Sequence, residues 1–291
     1  MSSGQITPHP YDKRTVVLAS KHQKERVLGP PLRDAVGLQM RVPDGLDTDL
    51  LGTFSGEVAR RGTPREVALQ KARMGMDATK ITLGLASEGS FGPHPQLLVV
   101  PADYELLAFV DAKERIEVVE QIVSLNTNYA YTVAKSAEDL TRFCDRAGFP
   151  SHGLIVRPNS GLQRGGPLFK GITQFDALSD ALKHCVGYSD DGLAHVETDM
   201  RAHMNPTRQK VLRELAVKLG SRLSTFCPEC QTPGWGVVDV VRGLPCEWCG
   251  GPTELVRLEI GGCPRCPHRE NHPRSDGLQT AKPGNCPSCN P

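Results

Sequence analysis

Eight cysteines crowd into the last 67 of 291 residues: Cys227, Cys230, Cys246, Cys249, Cys263, Cys266, Cys286 and Cys289. They form four Cys-x-x-Cys pairs. Two thiolates at that spacing grip one face of a tetrahedral ion, and two pairs close a four-cysteine site. Fifteen residues separate the first pair from the second, and nineteen the third from the fourth. Both are zinc-ribbon spacings. They predict two structural Zn²⁺ ions held by sequential pairs: Cys227, Cys230, Cys246 and Cys249, then Cys263, Cys266, Cys286 and Cys289. The alternative completes the second site with His268 and His272 and leaves the last pair out. Four thiolates leave no open coordination position, so chemistry at zinc is not expected. The other two cysteines, Cys144 and Cys185, stand alone and read as core residues.

A second set of ionisable residues lies upstream. Lys21 and Lys24 follow the apolar run Thr15–Ser20. Asp47, Asp49 and Glu57 surround a glycine-rich stretch, and Glu66 opens a helical segment. Glu88 and Ser90 lie in Ser-Glu-Gly-Ser-Phe-Gly-Pro-His, just after the strand-like Ile81–Ala86. Open α/β sheets place ligands at the carboxyl ends of their strands. Carboxylates with lysines there suit Mg²⁺ and a polyphosphate, the acids holding the hard cation and the lysines meeting phosphate charge. Arg201, His203 and Arg208 surround the start of another helix, a position that favours anions.

These residues need elements to carry them. Thr15–Ser20 and Ile81–Ala86 read as buried strands, and Leu106–Asp111, Ile116–Leu125, Leu154–Val156 and His195–Met200 as further strands. Thr63, Pro64 and Glu66 form a capping-box start for a helix running to about Met76. Ser136–Ala147 and Phe175–Cys185 are helical. Asn205 caps a last helix, in which Val211, Leu215, Leu219 and Leu223 recur every four residues as a core stripe. The alternation predicts an α/β domain, a mixed sheet flanked by helices, over residues 1–223. A small zinc-ribbon-like module over 224–291 follows it; being poor in apolar residues, it needs metal to fold.

The run Thr63-Pro-Arg-Glu-Val-Ala-Leu-Gln-Lys-Ala-Arg73 resembles the helix motif of the inosine-triphosphate pyrophosphatase family, which hydrolyses noncanonical purine nucleoside triphosphates with Mg²⁺. The resemblance spans roughly Thr15–Phe91. It implies that Lys24 contacts phosphate, that Glu66 serves the metal or the attacking water, and that Glu88 binds metal or acts as general base. Lys21 stands where that family has asparagine, and its aromatic-Asp-Pro and Ser-His-Arg segments are missing. The whole chain also resembles an uncharacterised bacterial family, a domain of unknown function, through Ser-Glu-Gly-Ser-Phe-Gly-Pro-His-Pro, His-Met-Asn-Pro-Thr-Arg and the terminal Cys-x-x-Cys-Asn-Pro. That family brings no activity with it.

Charge narrows the partners. The chain carries 34 basic and 33 acidic residues, so nothing draws it globally to nucleic acid or membrane. From Thr225 onward there are six Arg or Lys and seven Asp or Glu, and each tetrathiolate zinc adds two negative charges. A net-negative module is a poor phosphate binder, so nucleic acid is not the expected partner and a protein contact is. With no secretory or membrane-spanning run, the expectation is a cytoplasmic protein. Three functions stay open: a Mg²⁺-dependent nucleotide hydrolase, in which Ser90 joins the substrate-binding residues; a non-catalytic nucleotide- or anion-binding scaffold whose zinc ribbons contact a protein or nucleic-acid partner; and, third in order, a nucleic-acid enzyme that docks through the ribbons.

Overall fold

The computed structural model describes residues 8–20, 22–46, 62–94, 97, 99–161 and 166–290. Lys21, Asp47, Asp49 and Glu57 lie outside them. The fold is mixed α/β with a cysteine-rich C-terminal module.

The first sheet has the order β2-β1-β3-β4-β5. Strand β1 (Thr15–Leu18) pairs in parallel with β2 (Gln39–Arg41) and with β3 (Leu83–Pro93). Strands β3, β4 (Pro101–Asp111) and β5 (Ile116–Ser124) form an antiparallel meander. Helix α1 (Glu25–Val36) and helix α5 (Pro206–Ser224) pack on one face through Leu28, Leu32, Leu212, Leu215 and Leu219, against Leu85, Leu107 and Phe109. Helix α2 (Pro64–Thr79) covers the other through Ala68, Leu69 and Ala72. The expected stripe on α5 is fully buried. Where α5 crosses α1, a Cβ on Gly220 would lie 2.8 Å from that of Ala35, so glycine sets how closely the helices approach. Pro30 and Pro31 lie inside α1 and disguise it as a loop in sequence, because proline normally breaks a helix interior.

Residues 125–204 build a second sheet rather than extending the first. Its order is β6-β9-β7-β8, from β6 (Tyr131–Ala134), β7 (Leu154–Pro158), β8 (Phe169–Ile172) and β9 (Ala194–Thr198), all antiparallel. Helices α3 (Thr141–Ala147) and α4 (Phe175–Tyr188) supply Phe143, Leu178 and Leu182 to a separate core that also holds Cys144 and Cys185.

The C-terminal module is a three-stranded antiparallel sheet, β10 (Gly236–Arg242), β11 (Val256–Gly262) and β12 (Arg269–Pro273), in that order. It rests on the first sheet. Arg222 of α5 donates to Gly234 O at 3.1 Å and to Glu120 of β5 at 2.7 Å, and Arg265 pairs with Glu114 at 2.7 Å.

Candidate functional site: two thiolate clusters and a buried ion cluster

The hairpin β10–β11 dictates how the cysteines combine. Gly236 pairs with Gly262 at one end and Arg242 with Val256 at the other. Cys227 and Cys230 precede β10, and Cys263 and Cys266 follow β11, so these pairs meet at the first end. Cys246 and Cys249 lie in the connection at the far end. Strand β12 runs back to that end, pairing Pro273 with Leu258, and delivers Cys286 and Cys289 there. The thiolate sulfurs of each group lie within 4.8 Å of one another. The sequential pairing is therefore corrected: the first pair joins the third and the second joins the fourth. An ion shared by Cys227, Cys230, Cys246 and Cys249 would have to span a seven-residue strand, about 20 Å at 3.4 Å per residue.

Cys227 and Cys266 Sγ are 3.7 Å apart, Cys230 and Cys263 3.5 Å, Cys246 and Cys289 3.9 Å, and Cys249 and Cys286 3.6 Å. Tetrahedral thiolates about 2.3 Å from an ion are about 3.8 Å apart, so each cluster fits one metal ion. The backbone N–H groups of Arg265 and Cys266 point at Cys263 Sγ, each at 3.3 Å. The alternative built on His268 and His272 also falls. His268 lies just before β12 and His272 within it, both against Glu270 at 2.9 and 3.5 Å, and Cys286 and Cys289 belong to the second cysteine group.

The other cluster forms where β1 stops. Ala19 N–H still donates to Leu85 O at 2.9 Å, and then the chain turns away toward α1. Strand β3 continues to Pro93 with β4 on its other side. Glu88, expected just past a strand end, is thus inside β3. Alternation sends Ser87, Gly89 and Phe91 to the α1/α5 face and Glu88 and Ser90 to the α2 face. Lys24, the N-cap of α1, reaches Ser87 Oγ at 2.8 Å. On the α2 face Lys71 Nζ meets Glu88 Oε1 at 2.5 Å. On the α1/α5 face Arg208 Nε donates to Glu105 Oε1 at 2.5 Å, its Nη1 donates to Met200 O, and its guanidinium stacks on the Phe91 ring. Asn205 caps α5 by accepting from Arg208 N–H at 2.9 Å, which fixes the turn that aims this arginine inward. Lys24, Lys71, Glu88, Asp103, Glu105 and Arg208 are all at most 8% exposed.

Gly89 makes room for this network. A Cβ there would stand 2.7 and 2.8 Å from the two Glu105 oxygens and would strike the Arg208 guanidinium. The surroundings shift the titration of the groups inside. Burial, then the Arg208 charge, lowers Lys24 to about 8. Burial, then Glu105, raises Asp103 to about 8. At the edge, His22 stacks on His203 with centroids 5.4 Å apart. Burial and then Lys24 lower His22 to about 4, and burial and then Arg201 lower His203. Arg201 forks onto the carboxylate of Asp199, at 2.6 to 3.1 Å.

Of the residues read from sequence, Lys24, Glu88 and Arg208 enter the cluster, and Arg201 and His203 lie at its edge. Ser90 is half-buried on β3, beyond Glu88 on the same face. Glu66 does not join them. It is exposed, and its carboxylate accepts from Thr63 N–H at 2.8 Å and from Thr63 Oγ1 at 3.0 Å. Those bonds hold its pKa down, and the capping box fully accounts for it. Lys71, Asp103, Glu105, Asp199 and His22 were not found from sequence. Asp103 and Glu105 share one face of β4 with Leu107 and Phe109, so a period-two reading extended upstream of Leu106 would have exposed them. A separate cleft of about 1670 Å³ between β5, α5 and the zinc-type module is lined by other residues, among them Arg73, Glu117, Lys218 and Glu259.

A family model for a domain of unknown function, DUF6671, matches residues 71–291, which takes in most of the cluster and all eight clustered cysteines. The chain belongs to the DUF6671 family. The match crosses the junction at α5, so this family's domain includes the cysteine module and the ion cluster apart from Lys24. No curated protein and no solved structure matches the chain. The resemblance of the N-terminal part to inosine-triphosphate pyrophosphatases finds no support in these comparisons. No described helix is long and apolar enough to cross a membrane.

Proposed function

We propose that the DUF6671 α/β unit is a hydrolase of a nucleoside triphosphate or related phosphorylated nucleotide, acting where β1 ends. The observation that carries this reading is the convergence of six buried ionisable side chains there, with one base and one acid shifted toward neutrality from opposite sides. Such displaced pairs mark working sites. Lys24 and the N-terminus of α1 meet phosphate charge. Glu88, oriented by Lys71, positions the attacking water. Arg201 and His203 flank the entrance and suit the anionic substrate. Mg²⁺ is the cofactor of this reading and supplies Lewis-acid stabilisation of the phosphoryl oxygens.

Zinc is the ion we assign to the two thiolate clusters, because four thiolates in tetrahedral reach select it. Its module braces the unit through Arg222 and Arg265, and its face is open to a protein partner rather than to nucleic acid.

A second reading rests on a specific observation. Lys71 answers Glu88 and Arg208 answers Glu105, as in a cluster that only holds elements together or binds an anion without turnover. Zinc-loaded full-length protein, offered a panel of nucleoside triphosphates that includes inosine and xanthosine forms, separates the two. Mg²⁺-dependent release of phosphate or pyrophosphate, cut about 10²-fold or more by Glu88→Gln, supports the hydrolase. Absence of turnover by folded protein supports the scaffold.

A further inference from the structure

Asp103 and Glu105 stand two residues apart on one face of β4, opposite Phe91 and Gly89 of β3. They are 0% and 1% exposed. Among the described residues neither oxygen of Asp103 has a hydrogen-bond partner, and neither does Glu105 Oε2. A buried carboxylate in that state must be neutralised, by a proton or by a cation. The charges around it show which kind of ligand fits. Glu88 is answered by Lys71 and Glu105 by Arg208. Lys24 reaches the Ser87 hydroxyl, and Asp103 feels the Glu105 carboxyl and the charges of Arg208 and Lys24 without a direct ion pair. Among the described residues, Lys24 and Asp103 are thus the cation and the carboxylate of the cluster that form no direct ion pair. A metal–phosphate pair, which presents both signs of charge, is their complement.

We propose that Asp103 and Glu105 hold a divalent cation, Mg²⁺ or Mn²⁺, beside the phosphate position at Lys24. This moves the metal from Glu66 and Glu88, where sequence put it, to the adjacent strand. The phosphate half rests on the hydrolase reading above; the cation half does not. Two carboxylates suffice, because Mg²⁺ keeps several waters and is completed by substrate phosphates.

The test is a Mn²⁺ titration followed by electron paramagnetic resonance, on zinc-loaded full-length protein without nucleotide, at neutral pH. The expected result is one Mn²⁺ per chain, displaced by Mg²⁺. Asp103→Asn and Glu105→Gln, checked for folding by circular dichroism and zinc content, weaken it about tenfold or more. Lys24→Ala does not weaken it. Absence of Mn²⁺ binding by folded wild-type protein overturns the proposal, as does wild-type affinity in folded Asp103→Asn. The wild-type titration decides the matter even if both variants misfold. Mn²⁺ bound with no nucleotide turned over breaks the hydrolase reading alone.

Discussion

The cysteine module and the ion cluster place polar chemistry in opposite settings. The module buries little apolar surface, and its strand β10 leaves Val237, Val238 and Val240 exposed. Its two four-cysteine groups, each able to hold a metal ion, lie at the two ends of one hairpin. The ion cluster is held by three helices and two long strands, which share two apolar cores, one on each face of the sheet. In the first region a bound ion would create the order. In the second, order is built before any ligand arrives, and the buried charges are what the fold must support. The difference predicts that metal removal and mutation strike the two regions unequally.

Metal removal has the largest expected effect. Structural zinc contributes on the order of 10–16 kcal/mol to folding in small domains. A strong chelator should therefore unfold the module while the far-ultraviolet signal of α1, α2 and α5 persists. Stoichiometry sharpens this. Cys227→Ser with Cys263→Ser should cost one ion per chain and leave the other. Loss of both ions, measured by mass spectrometry under native conditions, would restore the sequential pairing.

Next come the buried pairs. Arg208→Ala leaves Glu105 buried and unanswered, and should cost about 3–5 kcal/mol in denaturant unfolding. Gly89→Ala should be harmful for a different reason, since its new Cβ enters the space of the same pair. Zinc content should stay at two ions in both variants. Changes below about 1 kcal/mol would mean that the pair behaves like a surface salt bridge.

Titration gives a smaller effect with a definite sign. Asp103 has a folded pKa of about 8, against an ordinary value of 3.8. Its contribution is complete below 3.8 and is lost as pH rises through 8. His22, held down to about 4 from 6.5, acts only on the acid side. Lys24, lowered from 10.5 to about 8, adds stability only as pH rises above 8. Melting temperature should therefore fall between pH 6.5 and 8, and Asp103→Asn should flatten that slope. An unchanged slope would remove Asp103 from the account.

The smallest effect belongs to Glu66. Its capping box is worth about 1 kcal/mol, so Glu66→Ala should lower stability by that amount. A loss several times larger would mean that Glu66 has contacts beyond Thr63.

What the sequence disclosed follows from how local each signal is. The capping box at Thr63 and Glu66, the Asn205 cap and the leucine stripe on α5 are patterns within a turn or two, and all were readable. The four Cys-x-x-Cys pairs were readable too. Which pair joins which was not, because that depends on where β12 returns the chain. Glu88 was found but misplaced past a strand end, since Ser87–Pro93 lacks the apolar run that marks a buried strand. Asp103 and Glu105 were missed because acids inside a strand look like loop residues until the opposite strand is known. Helix α1 was hidden by its two prolines.

The central claim is that chemistry resides in the buried cluster and not at the exposed start of α2. Side-by-side turnover of nucleoside triphosphates by Glu88→Gln and Glu66→Gln, each folded and zinc-loaded, tests it most directly. The account predicts that Glu88→Gln loses Mg²⁺-dependent turnover while Glu66→Gln keeps the wild-type rate. Full activity in Glu88→Gln, or its loss in Glu66→Gln, would contradict it.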